Sequence, residues 1–286
     1  MILAVAAVRN RKAKTLRALR SLSDNSTDIG FVIVDDGSED GTPEAIEEQF
    51  ADAHLVYGDG TLYWAGAMAL GLRQARARAK HDAEGVLLFN DDVEFNAGAV
   101  DRMVELAAAN PGSAIVGSTL AGLTNPVATY GGLKRASRWR PLKFELVDSS
   151  RGPVECDTFN GNSVFLPMQL WDAVEGIDDY FTHVFGDLDL GLRLKRLGYK
   201  IIQIDGAVGY CPRDHVRKAW LQPGLSLQER WDRISDPRGA PLLEYVYFGR
   251  RHAPLTWPLW IVATYGKLLL AAVASAARGE PRSRQR

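Results

Sequence analysis

The chain has 286 residues, of which 46% are hydrophobic, enough to bury a core in one large domain or two small ones. Such a composition excludes disorder as the main state. The formal net charge of -1 excludes a general attraction to nucleic acid or to anionic membranes. The two cysteines have neither the number for a disulfide framework nor the spacing for a zinc site, so we expect a reducing compartment.

The charge is distributed unevenly along the chain. From Arg250 onward, seven basic residues stand against the single acid Glu280, which gives +6 there and leaves -7 for residues 1–249. The nearly neutral total therefore combines an acidic body with a basic C-terminal segment.

Apolar runs and helical spacing predict strands that alternate with helices over the first part of the chain. Strands in alternation with helices indicate an α/β protein with a parallel sheet covered by helices on both faces. Residues 1–8 are expected to be a buried strand rather than a signal peptide, because no basic residue precedes them. In chain order, strands are expected at residues 2–7, 31–34, 54–57, 86–89 and 114–117, and helices around 16–22, from 42, over 65–80 and over 99–109.

The second part of the chain is less regular. Residues 117–157 give no clear element, and residues 205–250 show little periodicity. A strand is expected at 163–166, Pro167 is expected to open a helix, and a further helix is expected from residue 185 to 198. Beyond residue 117 the sequence therefore predicts only part of the fold.

Two pairs of acids follow predicted strands. Asp35-Asp36 and Asp91-Asp92 each come after four apolar residues, and the carboxyl ends of parallel strands meet at one edge of the sheet, where ligands bind. A single pair would be interpreted more readily as helix caps or turn formers, but two pairs at one edge favour a site. Paired carboxylates suit a Mg2+ or Mn2+ ion that bridges diphosphate oxygens, and Asp187, at the start of a helix, suits a general base. No phosphate-binding glycine loop follows any strand, so the acids indicate group transfer from a diphosphate-bound substrate.

Three segments resemble the family 2 glycosyltransferases and occur in that family's order. Val34 to Thr42 resembles the segment VDDGSxDGT, and Leu88 to Glu94 resembles the metal-binding DxD segment with Asn at its first position. Phe185 to Arg193 resembles the catalytic segment EDxDLxxR. Residues 60–67 and 183–187 are similar to a bacterial, rhamnosyltransferase-like subgroup.

The resemblance implies a GT-A fold, which is Rossmann-like with a mostly parallel central sheet, over residues 1–210. A helical extension over residues 211–286 would contact the acceptor, a membrane or a second subunit. The implied reaction is an inverting, metal-dependent transfer of a sugar from a UDP-, dTDP- or GDP-linked donor to a hydroxyl of a glycan or lipid-linked acceptor. The implied cofactor is Mn2+ or Mg2+, and the implied setting is bacterial cell-surface polysaccharide or glycolipid synthesis.

Roles for individual residues follow from the resemblance and from local pattern. Asp187 is expected to deprotonate the acceptor hydroxyl. The residues expected to contact the nucleotide or the donor sugar are Arg9, Asp35, Asp36, Trp64, Asn90 and Asp91. The expected metal ligands are Asp92 and His215. Contacts with substrate are expected from Asn160, Asn162 and His183, for which turn formation or a structural histidine is the alternative.

Two departures from the family pattern keep a second function open. Gly186 stands where the family has Glu, and Asn90 removes one carboxylate from the DxD segment. A catalytically silent relative that binds a nucleotide or a glycan as a scaffold is therefore the alternative. A nucleotidyltransferase is disfavoured, because the basic, glycine-rich loop expected after its first strand is missing.

Residues 254–286 make up most of the basic C-terminal segment. Leu255 to Ala277 is nearly long enough to span a bilayer, but Pro258 and Lys267 interrupt it, and its first half is rich in aromatic residues. This pattern favours a helix that lies in the membrane interface, and hence a cytoplasmic enzyme bound peripherally to the inner face of the plasma membrane. The alternative is a pair of helices packed on the domain or in a homodimer.

Overall fold

The structure is a computed structural model that describes residues 1–25, 27–79, 83–213 and 218–277. Its strands are β1 Ile2–Val8, β2 Ile29–Asp35, β3 His54–Tyr57, β4 Gly85–Phe89, β5 Glu94–Phe95, β6 Ser113–Gly122, β7 Asn125–Tyr130, β8 Gly132–Ser137, β9 Arg140–Leu146, β10 Val154–Glu155, β11 Thr158–Phe159, β12 Ser163–Pro167 and β13 Lys200–Tyr210. Its α-helices are α1 Lys12–Ser23, α2 Thr42–Gln49, α3 Tyr63–Arg78, α4 Ala99–Ala109, α5 Met168–Val174, α6 Gly186–Arg196, α7 Leu227–Ser235, α8 Leu242–His252 and α9 Trp257–Ala277.

The main sheet has the strand order β10-β13-β6-β12-β4-β1-β2-β3. Strands β3, β2, β1 and β4 are parallel to one another, and β13 pairs in parallel with β6. Strand β12 runs antiparallel between β4 and β6. The predicted α/β fold with a mostly parallel central sheet is therefore confirmed.

The sheet separates two hydrophobic cores, which is why the central strands are apolar throughout. On one face, α3, α5 and α6 pack over residues such as Val5 and Leu88. On the other face, α1, α2 and α4 pack over residues such as Ile33 and Leu87. The expected helical face of α1 is confirmed, because Leu16, Leu19 and Leu22 are all buried.

Two parts of the fold differ from the sequence expectation. Residues 117–157 hold the end of β6 and the strands β7 to β10, and β8 pairs with β9 and β11 in a second, three-stranded sheet. Most side chains of β7 and β9 are partly or fully exposed, so no regular apolar alternation marks them. Residues 205–250, which show little periodicity in the sequence, hold the end of β13, the helix α7 and most of α8.

The C-terminal helices pack on the body of the protein. Phe248 of α8 is 1% exposed and lies in the same core as α3 and α6, so α8 extends that core beyond the predicted boundary at residue 210. Helix α9 buries Leu268 against α7 and the turn at Trp220. Its opposite face exposes an apolar stripe, which consists of Leu259, Val262, Leu269, Leu270 and Val273.

Candidate active site

Two acidic loops meet at the carboxyl edge of the sheet, as predicted. Asp35 ends β2 and Asp36 follows it, whereas Asp91 and Asp92 follow β4. Strand β1 lies between β2 and β4, so the loop after β1 brings Arg9 and Arg11 to the same edge. The edge therefore combines four carboxylates with two guanidinium groups.

Asp36 organises the loop before α3. One oxygen of its carboxylate accepts hydrogen bonds from the backbone N–H of Gly60 at 2.9 Å and of Leu62 at 3.2 Å. The other oxygen accepts from the backbone N–H of Tyr63 at 2.9 Å. Arg9 donates to the carbonyl oxygen of Gly60. Asp36 and Arg9, both expected near the nucleotide, are thus engaged in shaping the loop that precedes Trp64.

Asp35 differs from its neighbour in one respect. Its Oδ2 accepts from the backbone N–H of Ser38 at 2.9 Å, but its buried Oδ1 has no partner among the described residues. A buried carboxylate oxygen without a donor carries an uncompensated desolvation cost. A hydrogen-bond donor of a ligand would offset that cost.

Arg11 holds the second acidic pair and was not singled out from the sequence. Its Nη1 donates to Asp91 at 3.1 Å and to Asp92 at 2.8 Å. Burial raises the pKa of Asp91 to about 7, with Asp92 adding to the shift and Arg11 opposing it. Burial disfavours the charged form of Arg11, but the two carboxylates outweigh it and raise the pKa of Arg11. The only sequence signal was its position just after β1.

Trp64 and Asn162 link this acidic pair to the rest of the site. The indole N–H of Trp64 donates to Asn90 Oδ1 at 2.9 Å, and its backbone N–H donates to Nδ1 of His183 at 3.4 Å. The side-chain amide of Asn162 donates to Sγ of Cys211 at 3.6 Å, and Cys211 donates to Asp92 at 3.2 Å. The structure thus brings Trp64, Asn90, Asn162 and His183 together around the loop after β4.

Asp187 lies in the first turn of α6, partly exposed. The backbone N–H of Gly161 donates to its Oδ2 at 3.0 Å, and the backbone N–H of Leu188 donates to its Oδ1 at 2.7 Å. Burial raises the pKa of Asp187, although these N–H groups and the side chain of Asn160 oppose the shift. An elevated pKa makes a carboxylate a stronger proton acceptor, which suits a general base.

Gly161 joins the two halves of the site. A Cβ at this position would lie 2.5 Å from the indole ring of Trp64 and 3.3 Å from Cβ of Asp187. The backbone can therefore pass between the indole and the carboxylate only because residue 161 is a glycine. Trp64 thus contacts Asn90 on one side and approaches Gly161, which donates to Asp187, on the other.

Ionic and aromatic contacts with α8 hold helix α6 in place. The buried carboxylate of Asp189 accepts from Arg193 at 2.7 Å, from Arg251 at 3.0 Å and from Nε2 of His252 at 2.8 Å. Phe185, the residue before α6, has φ 68° and stacks on Tyr245 and Phe248 of α8, with ring centroids 5.4 and 4.9 Å away. The turn that positions Asp187 therefore depends on contacts from the C-terminal part of the chain.

Gly186 is a packing residue. A Cβ at this position would lie 2.9 Å from Cβ of Ala65 and 3.1 Å from Cγ2 of Ile177. Helix α3 therefore occupies the space that a side chain at 186 would need, and the family's Glu has no room in this chain.

The loop after β4 carries polar side chains of the kind that bind a divalent cation. Asn90, Asp91 and Asp92 offer the oxygen ligands that Mg2+ and Mn2+ take. Among the described residues, no group of three or more His, Cys, Asp or Glu side chains could hold a metal ion, and Arg11 occupies one oxygen of each acid. His215, the second expected ligand, lies outside the described residues. Of the two expected metal ligands, only Asp92 therefore lies among the described residues, beside Asn90 and Asp91.

The fold is that of the GT-A glycosyltransferases. The mannosyltransferase PcManGT from Pyrobaculum calidifontis, solved with GDP-Man and Mn2+, matches with TM-score 0.53 and 18% identity over 96% of this chain and 75% of that one. GalNAc-T7 with UDP, GalNAc and Mn2+ matches with TM-score 0.57 and 12% identity over 71% of this chain and 42% of that one. TarS of S. aureus in complex with UDP matches with TM-score 0.53 and 14% identity over 74% of this chain and 60% of that one.

The family model described as "Glycosyl transferase family 2" matches residues 4–171, and the chain belongs to this family. It is 24% identical over 201 residues to the N-acetylglucosaminyl-diphospho-decaprenol L-rhamnosyltransferase of Mycobacterium tuberculosis, in two strains. The match covers 63% of this chain and 65% of the relative, so the chain spans about two thirds of that protein's length. The expected resemblance to family 2 and to its rhamnosyltransferase-like members is confirmed.

Proposed function

We propose that this protein is an inverting glycosyltransferase that moves a sugar from a nucleotide-diphosphate donor to a hydroxyl of a lipid-linked glycan acceptor. The observation that carries the proposal is the position of Asp187. This carboxylate, with its raised pKa, lies across Gly161 and Trp64 from the Asn90-to-Asp92 loop. A base and a group of residues suited to a diphosphate are thus side by side.

The proposed reaction assigns one task to each part of the site. Asp187 takes the proton of the acceptor hydroxyl while the oxygen of that hydroxyl attacks the anomeric carbon of the donor sugar. The nucleoside diphosphate leaves from the opposite face of the sugar. Arg11 can move from Asp91 and Asp92 to the phosphate oxygens, where a guanidinium stabilises the departing charge. Asp35 would contact the nucleotide through its unpartnered oxygen, while Asp36 keeps the loop before Trp64 in place.

A divalent cation, Mn2+ or Mg2+, is part of the proposal. Asp92 would hold it, with Asn90 and Asp91 nearby and the diphosphate completing its ligands. When bound, such an ion neutralises charge on the leaving diphosphate. Two of the solved relatives contain Mn2+ together with a nucleotide or nucleotide sugar.

The acceptor and the location are proposed from the relative and from α9. The Mycobacterium tuberculosis relative is named for a decaprenol-linked acceptor. Among the described residues, α9 is the one helix long and apolar enough to cross a membrane, with mean hydropathy 1.4 over Trp257–Ser275 and 6% of that stretch buried. We place α9 in the interface of the inner face of the plasma membrane, because its inner side packs on α7 and α8.

The Asp187→Asn substitution tests the catalytic proposal, because it keeps the shape of the side chain and removes the base. We expect kcat to fall by about a hundredfold or more, with little change in donor binding. The measurement is sugar transfer from UDP-, dTDP- and GDP-linked donors to a lipid-linked glycan acceptor, with nucleotide binding followed by calorimetry.

The matched control is Asp148→Asn, which changes an exposed aspartate in the same way. A folded D187N variant that transfers at the wild-type rate would remove Asp187 from the mechanism. A wild-type protein that binds nucleotide without metal and transfers no sugar from any donor would favour the silent scaffold instead.

A further inference from the structure

A cavity lies outside the candidate active site, at the end of α6 that is far from Asp187. It has a volume of about 480 Å³ and lies between the second sheet, α6 and the end of α8. Its lining residues are Arg135, Asp157, Leu192, Lys195, Arg196, Arg251, His252 and Pro254. Arg196 follows Asp187 by nine positions of the helix, which corresponds to about 13 Å along the axis. The cavity is therefore distinct from the catalytic centre.

The charges around this cavity are not balanced. Lys195 is paired with Glu155 at 2.6 Å, and Arg251 is paired with Asp178 and Asp189. Arg135 and Arg196, in contrast, have no carboxylate within 4.0 Å among the described residues. Arg196 instead donates to the carbonyl oxygen of Arg251 at 2.8 Å and to Nδ1 of His252 at 3.2 Å.

Arg135 shows the same imbalance. It is half-buried, and burial lowers its pKa, with the charge of Arg196 adding to the shift and Asp157 opposing it. Burial and the charge of Arg196 thus both disfavour the charged form of Arg135, and the charge of Asp157 opposes them. An anion in the cavity would relieve the repulsion between the two guanidinium groups, and the fork of an Arg side chain matches the oxygens of a phosphate.

The surroundings of the cavity indicate where the phosphate comes from. Pro254 lines the cavity, and the next residue, Leu255, is 93% exposed. Helix α9 begins two residues later and carries the exposed apolar stripe. A basic cavity of about 480 Å³ next to an exposed apolar segment matches an amphiphile, with the whole headgroup in the cavity and the acyl chains along α9.

We propose that the cavity between Arg135 and Arg196 binds the phosphate of an anionic phospholipid headgroup and so fixes how the protein lies on the membrane. This inference deepens the membrane contact of the proposed function and does not depend on the transfer reaction. Arg135 and Arg196 donate hydrogen bonds to the phosphate, and α9 lies among the acyl chains beside it.

The test compares the binding of the full chain to phosphatidylcholine vesicles with and without phosphatidylglycerol. The Arg135→Gln/Arg196→Gln variant should lose at least about tenfold in affinity for the phosphatidylglycerol vesicles, since each basic side chain near an anionic surface contributes about 1 kcal/mol. Arg135→Lys/Arg196→Lys should retain most of the binding. Thermal unfolding in the presence of inorganic phosphate serves as the probe for a free anion.

The control is Arg17→Gln/Arg102→Gln, which also removes two positive charges. Both arginines form exposed ion pairs, and both are distant in sequence from the residues that line the cavity. Equal weakening by both Gln variants would show general surface charge and overturn the proposal. Inorganic phosphate could stabilise the wild-type protein but not the Arg135→Gln/Arg196→Gln variant, while both proteins bind vesicles equally well. That result would overturn the lipid assignment. Nucleotide binding and transfer to a soluble acceptor should be unchanged in the cavity variant, so failure here is distinguishable from failure of the proposed function.

Discussion

At the scale of single residues, the site depends on glycines more than its acidic motifs suggest. Gly161 lets the backbone pass between Trp64 and Asp187, and Gly186 lets α6 pack on α3. Neither position is in the left-handed region, so the requirement is space rather than backbone conformation. The absence of the family's Glu at 186 is therefore a consequence of packing and leaves the carboxylate of Asp187 in place.

The Gly161→Ala substitution tests this requirement. Its methyl group must displace the indole of Trp64 and also crowds Cβ of Asp187, and a misplaced reacting group lowers kcat by up to about a hundredfold. Steady-state kinetics should show this loss, with donor binding less affected. The control is Gly122→Ala, where a Cβ meets nothing within 4 Å, and it should behave as wild type. Full activity in Gly161→Ala would contradict the close approach of residue 161 to the indole of Trp64.

At the scale of elements, the catalytic helix depends on α8. Asp189 joins α6 to α8 through Arg251 and His252, and Phe185 stacks on two aromatic rings of the same helix. Phe185 holds a positive φ, which costs a bulky residue about 1 to 2 kcal/mol. The aromatic contacts from α8 offset that strain and keep the turn before Asp187 in one conformation.

Substitution of Phe185 by Ala and by Gly separates the strain from the stacking. Both variants lose the rings, but only Gly relaxes the backbone, so Phe185→Gly should be more stable than Phe185→Ala by about 1 kcal/mol. Chemical denaturation measures the difference, and both variants should show a lower kcat with nucleotide binding preserved. Equal free energies of unfolding for the two variants would mean that the positive φ carries no strain.

At the level of the whole molecule, α9 has two apolar sides, one packed on the protein and one exposed. One side packs on α7 and α8, where Leu268 is buried and Tyr265 donates to the carbonyl oxygen of Ala240 at 2.9 Å. The other side is the exposed apolar stripe, in which Leu270 is 70% exposed. Contiguous exposed apolar surface is rare on proteins that contact only water. It indicates a surface that binds a membrane or another protein.

The Leu269→Gln/Leu270→Gln variant tests the membrane as the partner of this surface. Because both side chains are exposed, we expect the midpoint of thermal unfolding to stay near wild type. Vesicle binding should fall at least about tenfold, because burial of a Leu side chain contributes about 2 kcal/mol. The control is Leu123→Gln/Val127→Gln, two exposed apolar residues of another surface. Unchanged flotation with phosphatidylglycerol vesicles would leave the stripe to a second subunit.

The amino-acid sequence was sufficient to predict the α/β class, the central strands and the three acidic segments. Buried strands need continuous apolar runs, and acids directly after them stand out against that background. It did not reveal β7 to β9, because partly exposed strands lack regular alternation, or Arg11, because nothing local marks its pairing with Asp91 and Asp92. The three-dimensional fold was needed to find that Gly161 lies between Trp64 and Asp187, that α8 contacts α6, and that Arg135 and Arg196 line one cavity. These are contacts between residues far apart in the chain, and they are set by packing rather than by local pattern.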